Sequence, residues 1–326
     1  MTIELSENAK LALSVVIINY RTAKLVTDCL ETLLPEVYEL DAKVVIVDNN
    51  SADDSPDIIQ TWLDENDSDN KVLFIRSDTN GGFSAGNNIG INAIAAEYYL
   101  LLNSDTLIRK GALALLLETA TKYPTAGLFS PRLEWKDGKP QESCFRFISP
   151  LSALIASANT GLVTSLLKEH DVPIPVTAQI SFPDWTSFAC VMVRDKVFEE
   201  IGLMDDEFFM YFEDAEFSYR ANQHGWGVVN NPAARVVHLR GGSSPVKENT
   251  KLGKRLPRYY YESRTRYYYK VYGHSGLFLA NTLWWFGRGL SKLRELFGRK
   301  VRNTCEKQWR DIWVNCLKPQ REYTRP

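Results

Sequence analysis

The chain has 326 residues, 44% of them hydrophobic and 24% charged, which is ordinary globular composition and long enough for one large α/β core with an appendage. Its formal net charge of −2 conceals an asymmetry: residues 251–326 carry 18 Lys and Arg against 5 Asp and Glu, and the first 250 carry 20 against 35. The acidic body and the lack of a nucleic-acid module speak against a nucleic-acid partner, and the basic tail calls for another anionic surface, that of a membrane.

Cys29, Cys144, Cys190, Cys305 and Cys316 show no C-x-x-C spacing and are odd in number. A disulfide framework and a zinc site are therefore not expected, and a reducing cytoplasm is. The first ten residues are acidic and lack the basic start of a signal peptide. No stretch reaches the roughly 20 apolar residues that a spanning helix needs. A cytoplasmic catalytic body, peripheral on the inner face of the membrane, is the expectation.

In chain order, the β-branched run at 13–20 predicts a strand buried on both faces, followed by a helix over 22–34. A second buried strand spans 42–48, a helix 56–66 and a third strand 71–76. A Gly/Asn loop opens another helix to about 96, and a fourth strand spans 97–103. Strands and helices alternating at this rhythm predict a mainly parallel, doubly wound sheet, whose ligands bind beyond the carboxyl ends of the strands. Asp48, the loop at 78–82 and the Asn103-Ser104-Asp105 turn occupy those ends. Residues 131–183 read as an insertion with a hairpin near 136–140. A strand is expected over 184–194, helices over 195–201 and 213–224, and a tail from 246.

Asp48 can accept a hydrogen bond from a pyrimidine N3–H, or simply cap the next turn. Asp105 suits Mg²⁺ or Mn²⁺, which take carboxylate and phosphate oxygens, although a strand-end Asp also caps turns. Glu213 and Asp214 open an amphipathic helix among aromatic residues. Acids favour helix starts, and an apolar setting also turns a carboxylate into a better base. His238 leads into Arg240-Gly241-Gly242-Ser243-Ser244, which combines a cation, flexible backbone and hydroxyls suited to a diphosphate. The glycines Gly82, Gly86 and Gly90 lack G-x-G-x-x-G spacing and follow the third strand, so a dinucleotide-dependent oxidoreductase is not expected.

The order of SVVIINYRTAKLVTDCLETLL, VIVDNNSADDS, NGGFSAGNNIG and LLNSD, followed by the segment 184–226 and VVHLRGGSS, resembles family 2 inverting glycosyltransferases of the GT-A fold. The bacterial rhamnosyltransferase-like subgroup is the nearest likeness, over residues 12–245. The resemblance implies an α/β GT-A domain over 1–245 and a basic, aromatic-rich helical segment over 246–326. It implies Asp48, Asn80, Gly82, Asn87, Asn103, Ser104 and Asp105 around the nucleotide, and Asp105 and His238 on Mg²⁺ or Mn²⁺. Asp214 becomes the general base with Glu213 beside it, Asp184 and Trp185 line the acceptor site, and Arg240 and Ser243 face the diphosphate. The implied donor is dTDP-rhamnose or a UDP-sugar, and the implied acceptor a saccharide or polyprenyl-linked saccharide. Three positions depart from the pattern: Asn103 replaces the first acid of D-x-D, Phe188 replaces a glycine, and Glu216 replaces an Asp. A nucleotide-sugar-binding protein without catalysis is the competing reading.

In the tail, Leu279, Leu283, Phe286, Leu290, Leu293 and Phe297 recur at helical spacing beside Trp284 and Trp285. Arg288, Lys292, Arg294, Arg299 and Lys300 supply the charge. Such a helix either lies in an anionic membrane interface or packs on the catalytic body.

Overall fold

The computed structural model describes residues 10–240, 245–298 and 304–324. The chain order is β1 (Leu11–Asn19), α1 (Ala23–Tyr38), β2 (Ala42–Asp48), α2 (Ser55–Asn66), β3 (Val72–Arg76), α3 (Gly82–Ala93), β4 (Ala96–Asn103), β5 (Thr106–Ile108), α4 (Ala112–Lys122) and β6 (Ala126–Glu134). It continues with β7 (Cys144–Phe145), α5 (Pro150–Ala158), α6 (Gly161–Leu166), β8 (Trp185–Thr186), β9 (Cys190–Arg194), α7 (Asp195–Ile201), α8 (Glu213–Gln223) and β10 (Gly227–His238). The helices α9 (Val246–Leu252), α10 (Arg258–Leu296) and α11 (Gln308–Asp311) follow.

The main sheet has the order β3-β2-β1-β4-β9-β6-β10-β5. β1 runs parallel to β2 and β4, and β2 parallel to β3, whereas β9 is antiparallel to both β4 and β6. β10 is parallel to β6 and antiparallel to β5. This polarity brings Asn19, Asp48, Asn103, Glu134 and His238 to one edge of the sheet, together with the entry to β9. The first strands are apolar on both faces because helices cover both: Val15 and Ile17 join one core cluster with α1, and Val16 joins the other with α3 and α7 residues.

Several boundaries differ from the expectation. α1 continues through Pro35 to Tyr38, because burial of Leu33, Leu34 and Val37 outweighs the backbone donor that proline lacks. The strand expected over 184–194 is two: Trp185–Thr186 pairs with β7 in a small separate sheet, and only Cys190–Arg194 joins the main one. The supposed insertion contains α5, whose Ser149 and Ser152 form a capping box. α4 and β6 were not anticipated. The hairpin is present as a tight turn in which Trp135 N–H donates to Lys139 O (2.8 Å). The described cysteines carry free thiols.

The tail does not stand away from the body. α10 packs along α5 and against α8, bending at Gly273, whose φ of 68° and ψ of −172° interrupt the helix. Gly287 lets the two helices touch: a Cβ there would lie 2.2 Å from Ser157 Oγ and 2.7 Å from Leu154 O. Leu277, Ala280 and Trp284 bury this face. The opposite face exposes Phe278, Phe286, Leu293, Leu296 and Phe297, and neighbouring α6 exposes Leu162 and Leu166.

Candidate active site

Asp48, at the end of β2, is 2% exposed. Its Oδ1 accepts Asn19 Nδ2–H (2.6 Å) and its Oδ2 accepts the Ser51 N–H (3.0 Å). Each carboxylate oxygen retains a second lone pair, so a held Asp48 can still receive a ring N–H. Asn19, which the strand-end rule would also have flagged, is the unforeseen hub here. Its Oδ1 accepts the Thr22 N–H and hydroxyl (both 3.1 Å), and Thr22 Oγ1 lies 3.2 Å from Ser104 Oγ. Three strand ends are thereby joined by short polar side chains.

Asn80 Oδ1 accepts from Gly82 N–H (3.0 Å) and from Asn49 Nδ2 (3.1 Å), which also bonds Gly82 O. Gly82 has φ of +82°, and a Cβ there would lie 2.1 Å from Phe209 O. Its smallness serves the approach of another chain segment. Asn87 is buried and donates one amide N–H back to Phe83 O (2.9 Å) inside α3.

Asp105 and His238 are brought together by the antiparallel pairing of β5 with β10. His238 is opposite Thr106 in register, and its Nε2 lies 3.4 Å from Asp105 Oδ1. Both side chains are buried, and His238 Nδ1 is left without a hydrogen-bond partner. One carboxylate oxygen and one imidazole nitrogen converging on a point fit Mn²⁺ or Mg²⁺, with diphosphate oxygens completing the shell. Among the described residues no cluster of three or more His, Cys, Asp or Glu side chains gathers.

Asn103 has its backbone N–H on Ala189 O (2.9 Å). Arg240 donates to Gln141 Oε1 (2.6 Å) and Glu142 O (3.4 Å) and stacks 5.4 Å from the Trp135 ring centroid. The structure thus ties it to the 135–142 turn, and Ser243 lies outside the described residues. A cation the sequence reading missed, Lys247, stands at the start of α9. Desolvation and then the Arg240 charge pull its ammonium below the usual lysine range, while Asp105 pulls the other way.

Glu213 and Asp214 open α8. Burial, then the neighbouring Asp214, holds the Glu213 carboxyl well above the usual range, and its Oε2 has no partner. Burial lifts Asp214 to about 7, against the backbone N–H groups of Ala215, Asp214 and Phe188 that favour its anion. The Phe188 ring is 2% exposed and packs edge-on to Phe217 (5.9 Å), so its bulk goes into the core. Glu216 is buried and paired with Arg220 (2.9 Å) and Lys270, linking α8 to α10. On the other flank Asp184 Oδ2 accepts the Phe147 N–H (2.9 Å). Trp185 stacks on Phe145 (4.2 Å) and donates to Arg146 O (2.8 Å).

Residues 14–144 match the family model "Glycosyl transferase family 2". The chain is 29% identical over 233 residues to the low-salt glycan biosynthesis hexosyltransferase Agl10 of Haloferax volcanii, covering 69% of this chain and 66% of that protein. It is 25% identical over 203 residues to an N-acetylglucosaminyl-diphospho-decaprenol L-rhamnosyltransferase of Mycobacterium tuberculosis, covering 61% and 62%. It thus spans slightly less than two thirds of either relative. Among solved structures it resembles the mannosyltransferase PcManGT of Pyrobaculum calidifontis, solved with GDP-Man and Mn²⁺. The TM-score is 0.52 at 12% identity, over 96% of this chain and 86% of that one, a likeness of fold. Family model and relatives agree on a family 2 glycosyltransferase domain that includes residues 14–144, and the solved structures agree on a GT-A fold.

Proposed function

We propose that this protein is an inverting glycosyltransferase that moves a sugar, rhamnose by preference, from dTDP- or UDP-sugar to a hydroxyl of a saccharide or lipid-linked saccharide, in cell-surface polysaccharide synthesis. The observation that carries the reading is the link through Phe188 and Ala189. The Phe188 N–H supports Asp214, and the Ala189 carbonyl accepts the Asn103 N–H, so a carboxylate poised as a base adjoins the turn carrying Asp105.

Asp214 takes the proton of the acceptor hydroxyl as that oxygen bonds to the anomeric carbon and the carbon–phosphate oxygen bond breaks. One base and no enzyme nucleophile inverts the configuration. Asp48 and Asn19 orient the base of the nucleotide. Asp105 and His238 would hold Mg²⁺ or Mn²⁺, which supplies charge neutralisation at the leaving diphosphate. Lys247 adds a cation beside the same turn. Asp184 and Trp185 support the acceptor flank through Phe145, Phe147 and Arg146.

The apolar face of α10 and α6, flanked by Lys168, Lys292 and Arg294, suits seating on the anionic inner face of the cytoplasmic membrane. No helix among the described residues is long and apolar enough to cross a membrane. The likeness to Agl10, named a hexosyltransferase, favours transfer of a hexose as the second reading, with UDP-hexose as the donor we would assign to it.

The test is nucleoside diphosphate release from a panel of nucleotide sugars with Mn²⁺, with and without simple saccharide acceptors. Release from one pyrimidine-diphosphate sugar, lost in EDTA and in Asp214→Asn, is expected. A protein that binds a donor yet releases nothing with any acceptor is a binding protein.

A further inference from the structure

α8 is entered through two consecutive left-handed residues, Tyr211 (φ 74°) and Phe212 (φ 69°). Neither is glycine, and each such residue costs roughly 1–2 kcal/mol in backbone strain unless its surroundings impose it. The surroundings here come from the far end of the chain. The Tyr260 ring packs against both Tyr211 (5.6 Å) and Phe212 (5.5 Å), and Tyr267 meets Phe212 (5.8 Å). Ser263 Oγ donates to Met210 O (3.1 Å).

Phe209 lies between Tyr259 (5.2 Å) and Tyr323 (5.5 Å), and its carbonyl accepts the Phe83 N–H (2.8 Å) in the first turn of α3, directly after the 78–82 loop expected around the nucleotide, the donor loop. Tyr323 donates its hydroxyl to Gly81 O (3.2 Å) of that loop. Thr324 anchors the tail on the Glu262 carboxylate through its N–H (2.9 Å) and hydroxyl (3.1 Å). The segment 209–212 is therefore sandwiched between the donor loop on one side and α10 with residues 323–324 on the other.

We propose that α10 and the Tyr323 region form a positioning clamp that holds Glu213 and Asp214 in register with the donor loop, with Tyr260 as its main positioning residue. The inference rests on Asp214 as the base. It makes the basic tail a working part of the transferase site rather than only a means of attachment. Relaxing the left-handed pair at Tyr211 and Phe212 displaces the carboxylates that follow it, while the Phe209 and Tyr323 bonds to Phe83 and Gly81 stay in place in Tyr260 variants, so the effect falls on turnover.

The experiment uses the full chain and dTDP-rhamnose as donor, replaced by whichever sugar nucleotide the wild type turns over. Tyr260→Phe keeps the ring and should keep wild-type kcat. Tyr260→Leu should lower kcat by about tenfold to a hundredfold, the scale of a small misplacement, with donor KM within about twofold. Ser263→Ala, which removes the bond to Met210 O, serves as the milder second variant should Tyr260→Leu not fold, and should lower kcat in the same sense. Folded variants with full kcat, or a loss confined to KM, overturn the clamp. Asp214→Asn runs alongside: its retaining turnover would sink the base assignment itself, whereas an inactive Asp214→Asn beside a fully active Tyr260→Leu sinks the clamp alone.

Discussion

Replacing Asp214 by Asn should have two opposite effects. Loss of a positioned base typically costs about 10²- to 10⁴-fold in rate, so turnover should fall into that range while donor affinity holds. Stability should move the other way. The carboxyl sits at about 7 in the fold against a reference of 3.8, so its ionisation opposes folding. The sign follows: the cost is absent below about pH 4, grows as pH rises, and levels off above about pH 7. The difference corresponds to an upper bound of about 4 kcal/mol at pH 8. Partial solvent contact at this side chain screens it, and about 2 kcal/mol is the expected gain. Thermal melts at about pH 5 and pH 8 should show the Asn variant more stable, with the larger margin at pH 8. The wild-type kcat profile should fall about tenfold per pH unit below about pH 6, because only about a tenth of Asp214 is ionised at pH 6. A kcat flat from about pH 5 to 8, together with no stability gain in Asp214→Asn, would refute the account of this site.

Asp105→Ala and His238→Ala should each weaken Mn²⁺ binding in the presence of UDP by more than the roughly tenfold typical of losing an outer-shell partner, measured by calorimetry. UDP binding that is equal with and without Mn²⁺ in the wild type contradicts the metal assignment. The double substitution Phe286→Glu, Leu293→Glu lies on the exposed face of α10. It should abolish co-sedimentation with phosphatidylglycerol vesicles and leave the melting temperature unchanged; undiminished vesicle binding ends the membrane reading. Gly287→Leu should lower stability by about 1–3 kcal/mol in urea unfolding, because the new side chain enters Ser157 and Leu154 of α5.

Local pattern was enough to read much of this protein. Continuous β-branched runs announce strands covered on both faces, and the strand-end rule picks out Asp48, the Asn103–Asp105 turn and the loop at 78–82 before any coordinates. The order of those motifs carries the family. What sequence could not decide depends on contacts between distant segments. Whether 184–194 is one strand or two is set by its partners, Cys144–Phe145 and β4, which lie far away in the chain. Family resemblance puts Asp105 and His238 on one metal, but the physical cause of their approach, β5 lying antiparallel to β10, is a register that periodicity does not encode. Which partners Asn87 and Arg240 already hold also comes only from the tertiary structure, an amide N–H of Asn87 on Phe83 O and the Arg240 guanidinium on Gln141 Oε1. The tail shows the difference most clearly. Helical spacing of apolar residues revealed an amphipathic helix, but only packing could divide it, since one face closes on α5 through Gly287 and the other is left to solvent. Spacing is a property of the chain, whereas burial, strain at Tyr211 and Phe212, and the lifted pKa of Asp214 arise only when segments far apart in sequence exclude water together.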